Sequence, residues 1–130
     1  MILLDTGAIR AFWNSHPVVS RLVDDANRTS GRPLIVPTFC LLEVEQQIPG
    51  AGITVTAQPG VMPEPLTTPA ALAAAQILHR YRDLTQGMAV AIATATAPVE
   101  RGEPAHFILT DHPDAYPRGI VAVSIDHLGL

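Results

Sequence analysis

The chain opens on three consecutive apolar residues, Ile2-Leu3-Leu4, that stop at a carboxylate, Asp5. A run so short and uniformly apolar marks a strand buried on both faces, and such strands belong to parallel sheets covered by helices. Four further runs read as strands: Leu34-Ile35-Val36, Ile53-Thr54-Val55-Thr56, His106 to Thr110, and Ile120 to Ser124.

Helical stretches fill the spaces between them. Thr6 to Trp13 starts from a capping residue, Asp5 or Thr6. Pro17 opens a second helix through Val18-Val19-Ser20-Arg21-Leu22-Val23, with a wet end at Asp24, Asp25, Asn27 and Arg28 and a stop at Ser30-Gly31. Pro37 precedes a third, Thr38 to Gln47, closed by Pro49-Gly50, and a loop rich in Pro and Gly runs from Gln58 to Pro65. Thr67-Thr68-Pro69 introduces the longest helix, Ala70 to about Asp83. After Gln86-Gly87, the small residues of Met88 to Ala95 predict a helix gripped closely by its neighbours. The alternation predicts right-handed crossovers and a three-layer α/β/α fold around a parallel sheet of about five strands. Residues 1–130 read as one domain without repeats or linkers.

With 48% apolar and 15% charged residues over 130 positions, the chain can bury a real core and does not read as disordered. Cys40 is the only cysteine, so no internal disulfide forms, and Phe12 and Trp13 are expected in the core. Asp5 interrupts the apolar opening too early for a signal peptide or a membrane span, so a cytoplasmic protein is expected. A net charge of -4 gives no broad footprint for neutralising nucleic-acid phosphates. It leaves room for clustered carboxylates.

Ligand sites in open α/β sheets lie beyond the carboxyl ends of the strands. Two strands end there in an acid, at Asp5 and Asp111, and the helix after Leu34-Ile35-Val36 offers Glu43 or Glu45, between which periodicity does not choose. Converging acids repel one another unless a cation lies between them, and an all-oxygen set favours Mg²⁺ or Mn²⁺. Each acid also has a structural role available: Asp5 as a helix cap, Asp111 as a turn residue in Asp111-His112-Pro113-Asp114. No Gly-rich phosphate loop follows the first strand, and His16, His79, His106, His112 and His127 show no zinc-ligand spacing. Cys40 reads as a small core residue, and Arg10 as a surface arginine near the same edge.

Leu3-Leu4-Asp5-Thr6 resembles the first motif of PIN domains, and Val36-Pro37-Thr38-Phe39-Cys40-Leu41-Leu42-Glu43-Val44 the second. Pro65-Leu66-Thr67 with the Ala-rich helix resembles the middle stretch, and Ile108-Leu109-Thr110-Asp111 the last motif. This resemblance spans the chain in order, and its register selects Glu43 over Glu45. It implies a metal-dependent ribonuclease in which Asp5, Glu43 and Asp111 hold Mg²⁺ or Mn²⁺, with Thr6 and Thr110 orienting carboxylates or waters. It also implies an RNA substrate, an antitoxin partner for the many relatives that are toxins of toxin–antitoxin pairs, and a homodimer. The pattern departs in one place: Met88 stands where the family carries an aspartate. Asp83, five residues earlier, would replace it only if Gln86-Gly87 broke the helix; Asp114 reads first as a turn residue and could supply an auxiliary oxygen, directly or through water. Loss of that acid makes a catalytically degenerate protein- or RNA-binding module the alternative function.

Overall fold

A computed structural model describes residues 1–29 and 32–126; the helix stop expected at Ser30-Gly31, and His127, lie outside the described residues. Five parallel strands, β1 (Ile2–Leu4), β2 (Leu34–Pro37), β3 (Val61–Glu64), β4 (Phe107–Thr110) and β5 (Ala122–Ser124), lie in the order β3-β2-β1-β4-β5. Six α-helices connect them: α1 (Thr6–Trp13), α2 (Pro17–Arg28), α3 (Thr38–Gln47), α4 (Ala51–Thr56), α5 (Thr68–Arg80) and α6 (Gln86–Thr96).

Alternation along the strands builds the layers. Leu4, Leu34, Val36 and Leu109 point to the face covered by Ile9, Val19, Val23, Val44 and Val55 of α1 to α4. Leu3, Ile35 and Ile108 point to the other, against Ala91, Ile92 and Ala95 of α6, and α5 packs outside α6 through Ala74, Ala89, Val90 and Ala93. Both faces of the central strands are therefore dry, and the three-layer α/β/α expectation holds.

The third strand is displaced from its expected place. Ile53-Thr54-Val55-Thr56 alternates like a strand, yet it lies in α4, with Val55 buried and Ile53 70% exposed. Gly50 turns the chain with φ 96°, and Glu45 accepts hydrogen bonds from Gly50 N, Gly52 N and Ile53 N, satisfying a helix start that has no other side-chain cap. The strand position is taken instead by Val61–Glu64, within the segment expected to be a loop. Its Pro63 is tolerated because β3 is the sheet edge, where one strand side needs no partner.

The helix predicted to reach Asp83 ends at Arg80, and α6 begins at Gln86 with Thr85 as its cap, accepting from Met88 N at 3.1 Å. The break thus falls over residues 81–85, and Gln86-Gly87 is the first turn of α6 rather than a breaker. Trp13 is 40% exposed at the end of α1, beside Gly50, and is not a core residue as expected; Phe12 is half-buried against the core. No helix among the described residues is long and apolar enough to cross a membrane.

Candidate active-site pocket at the strand ends

The chain leaves β1 to build one side of the sheet through β2 and returns to the other side at β4. Ligand sites form where strand order reverses in this way, beyond the carboxyl ends. A pocket of about 210 Å³ lies there, lined by Asp5, Thr6, Gly7 and Arg10 at the β1–α1 junction. Glu43 and Gln47 of α3, Thr85 and Met88 at the start of α6, and Thr110, Asp111, His112 and Ala115 after β4 complete it.

Each acid is fixed by a different device. Asp5 is 4% exposed and caps α1, its Oδ1 accepting from Ala8 N at 2.9 Å, so the cap and the pocket position belong to one residue. Its Oδ2 accepts from the Tyr116 hydroxyl at 2.7 Å. Burial pushes the Asp5 carboxyl above its ordinary value, more than the hydrogen bonds from Thr110, Tyr116 and Ala8 pull it down. Burial likewise raises the Tyr116 phenol far above its usual range, with the Asp5 carboxylate adding to the shift.

Glu43 accepts from Thr6 Oγ1 at 2.7 Å, and both touch Gly87 of α6. A Cβ at Gly87 would stand 1.8 Å from Glu43 Oε1. Asp111 is seated the same way on Gly7, where a Cβ would come within 2.0 Å of its Oδ1. Asp111 also meets Arg10 Nη2 at 3.5 Å and His112 Nδ1 at 3.3 Å, while Arg10 Nη1 donates to Gln47 Oε1. Glu45 lies outside the pocket as the cap of α4, so Glu43 is the acid that reaches it.

The other candidates separate cleanly. Thr6 and Thr110 line the pocket, Thr110 almost wholly buried, and Met88 lines it too, with its neighbours Ala91, Ile92 and Ala95 in the core. Asp83 is exposed in the turn before α6, and Asp114 is exposed on the 3-10 turn Pro113–Ala115; neither lines the pocket. Cys40 is buried, its thiol pushed up to about 12 chiefly by that burial, and donates to Gly87 O at 3.6 Å. It is a packing residue beneath the pocket. Sequence reasoning missed Tyr116, Gln47 and the two glycines. Nothing local to Tyr116 announces its bond to Asp5, 111 residues away.

As a set, three carboxylates and two hydroxyls are the donors a hard divalent cation takes. The two glycine cradles keep Glu43 and Asp111 at the pocket wall. The side chains as they stand do not close around an ion: among the described residues, no three of His, Cys, Asp and Glu are grouped to hold one. Each acid has a partner of its own, Asp5 in Tyr116, Glu43 in Thr6 and Asp111 in Arg10. The donors fit a hard divalent cation in kind.

No family model matches the chain, and no curated protein does. Among solved structures, a toxin–antitoxin complex from Klebsiella pneumoniae is similar with a TM-score of 0.66 over 96% of this chain and 98% of that one. The two are 14% identical. What they share is the fold. The likeness covers nearly all of both chains.

Proposed function

We propose that this chain is a PIN-type ribonuclease that hydrolyses RNA phosphodiesters with Mg²⁺ or Mn²⁺, and that it acts as the toxin of a toxin–antitoxin pair. The observation that carries the reading is the meeting of Asp5, Glu43 and Asp111, from three separate elements, around one pocket at the switch point. The order of the PIN-like motifs supports it, and the neighbouring toxin–antitoxin complex supports a protein partner for a fold of this kind. A homodimer in the cytoplasm belongs to the same proposal.

Asp5, Glu43 and Asp111 would hold the cation, which when bound polarises a phosphate oxygen and lowers the pKa of a bound water. The chain's own residues supply positioning. Thr6 fixes Glu43 through its hydroxyl, and Thr110 steadies Asp5 from within the sheet. Arg10 stands at the pocket wall beside Asp111, where its guanidinium can bind the phosphate that follows or precedes the cut.

A second reading is a degenerate PIN-like module that binds protein or RNA without cutting. It is favoured by Met88 at the pocket wall, where an apolar thioether stands in place of the fourth acid. Mn²⁺ titration followed by thermal melting, alongside cleavage of a structured RNA, separates the two. The ribonuclease reading expects Mn²⁺ to raise the melting temperature and Asp5→Asn to abolish both the rise and the cleavage. Absence of any Mn²⁺ effect in the native protein and in Met88→Asp selects the module.

A further inference from the structure

We propose that Tyr116 is a positioning residue that sets how tightly the pocket takes a divalent cation, its hydroxyl and the cation competing for Oδ2 of Asp5. The inference rests on the metal-site reading above. Asp5 turns Oδ1 to the start of α1, where Ala8 N donates at 2.9 Å, which leaves Oδ2 as the oxygen without a backbone donor. Tyr116 holds that oxygen at 2.7 Å.

The competitor is stiff. Tyr116 is 7% exposed, and its ring belongs to the core cluster of Leu3, Ile35, Ala91, Ile92, Ala95 and Ile108, so the hydroxyl cannot swing aside without disturbing α6. The backbone fixes it as well, through Tyr116 N to Pro113 O at 3.2 Å, at the end of the 3-10 turn that follows Asp111. One short loop therefore carries both the last acid of the pocket and the rival of the first.

The other carboxylates have weaker or more exposed partners. Asp111 meets Arg10 at 3.5 Å with both side chains partly in solvent, an arrangement easily given up to an ion. Thr6 donates to one oxygen of Glu43 and leaves the other free of any side-chain donor among the described residues. The Tyr116–Asp5 bond is the buried one of the three, so it is the contact whose strength most bears on how freely a pocket carboxylate can meet a cation.

The test is Mn²⁺ affinity of the full chain, read by electron paramagnetic resonance of the free ion and by calorimetry, in the native protein, Tyr116→Phe and Met88→Asp. Phe keeps the ring and its burial. Competition predicts that Tyr116→Phe binds Mn²⁺ roughly tenfold tighter, the share expected from one hydrogen bond to a charged group. A gain of affinity is a result that loosened packing does not produce. Should Tyr116→Phe fold poorly by its metal-free melt, Tyr116→Met gives a second apolar test of the same direction. Equal or weaker binding in a folded variant, beside measurable binding by the native protein, overturns the competition and leaves the metal site standing. If none of the three binds Mn²⁺, the metal-site reading and this inference fall together.

Discussion

Gly87 of α6 and Glu43 of α3 are in contact so close that a Cβ on the glycine would lie 1.8 Å from the carboxylate oxygen. The same Cβ would stand 3.1 Å from Thr6 Oγ1, so one hydrogen on Gly87 makes room for the whole Thr6–Glu43 pair. In an open helix, Gly→Ala stabilises by about 1 kcal/mol. Here the added methyl is expected to cancel part or all of that gain, because it must swing the Glu43 carboxylate, the far end of a flexible side chain, out of its seat beside Thr6. A urea melt of Gly87→Ala gives the sign directly, and in the Glu43→Ala background, where nothing has to move, the same substitution should stabilise by the open-helix amount.

Met88 is the third residue of α6, its amide capped by Thr85 and its side chain at the pocket wall. A carboxylate in the first turn of a helix is favoured by about 0.3–1 kcal/mol. In this pocket it also joins Asp5, Glu43 and Asp111. Met88→Asp is therefore expected to melt lower than the native protein without metal and to gain a larger rise from Mn²⁺. A melt that is unchanged by Mn²⁺ in this variant, while the native protein responds, would place the missing ligand elsewhere.

Asp5 has a pKa raised by burial above the ordinary 3.8. Between the unfolded and folded values the native state holds the extra proton, so stability is greatest below this window and falls as pH rises through it. Asp5→Asn keeps an oxygen for Ala8 N and removes the buried charge. The variant is expected to be more stable than the native protein at neutral pH, with the difference shrinking towards pH 4, while RNA cleavage disappears. Denaturant melts over that pH range measure it; a variant less stable at neutral pH would show that the carboxylate is held ionised at no net cost.

Glu45 shows the opposite dependence. Its carboxyl is held below the ordinary 4.5 chiefly by the amide of Gly50, with Ile53 and Gly52 adding to it. The stabilisation is present above the unfolded value and is lost as pH falls through the lower folded one. Glu45→Gln should therefore lose stability at neutral pH and show a weaker dependence on pH below 4.5. Its effect on Mn²⁺ binding should be nil, since Glu45 lies outside the pocket.

Much of the fold is written in local pattern. Leu3-Leu4, Leu34-Ile35-Val36 and Ile108-Leu109 are apolar on both sides of the strand, and each proves to bury alternate side chains in opposite cores. Strand ends at Asp5 and Asp111 follow from the same runs, which is why two members of the pocket are legible from their positions alone. The error over Ile53–Thr56 has a physical source: its two-residue period is genuine, but Glu45 accepts from the amides of Gly50, Gly52 and Ile53, at and just ahead of its start, and makes helix the better-satisfied backbone. Val61–Glu64 escaped notice because a proline inside a strand is acceptable only at an edge, and which strand is the edge depends on the complete sheet.

By itself, then, the sequence determined the central buried strands, every helix but α4, and the acids that end or follow those strands, because burial and backbone hydrogen bonding act over a few residues. Only tertiary structure decided which atoms meet at Asp5. Its bond to Tyr116, the seat of Glu43 on Gly87 and that of Asp111 on Gly7 join residues far apart in the chain. Such contacts arise when β4 pairs with β1 and α6 packs on the sheet, and no period of two or 3.6 residues encodes them.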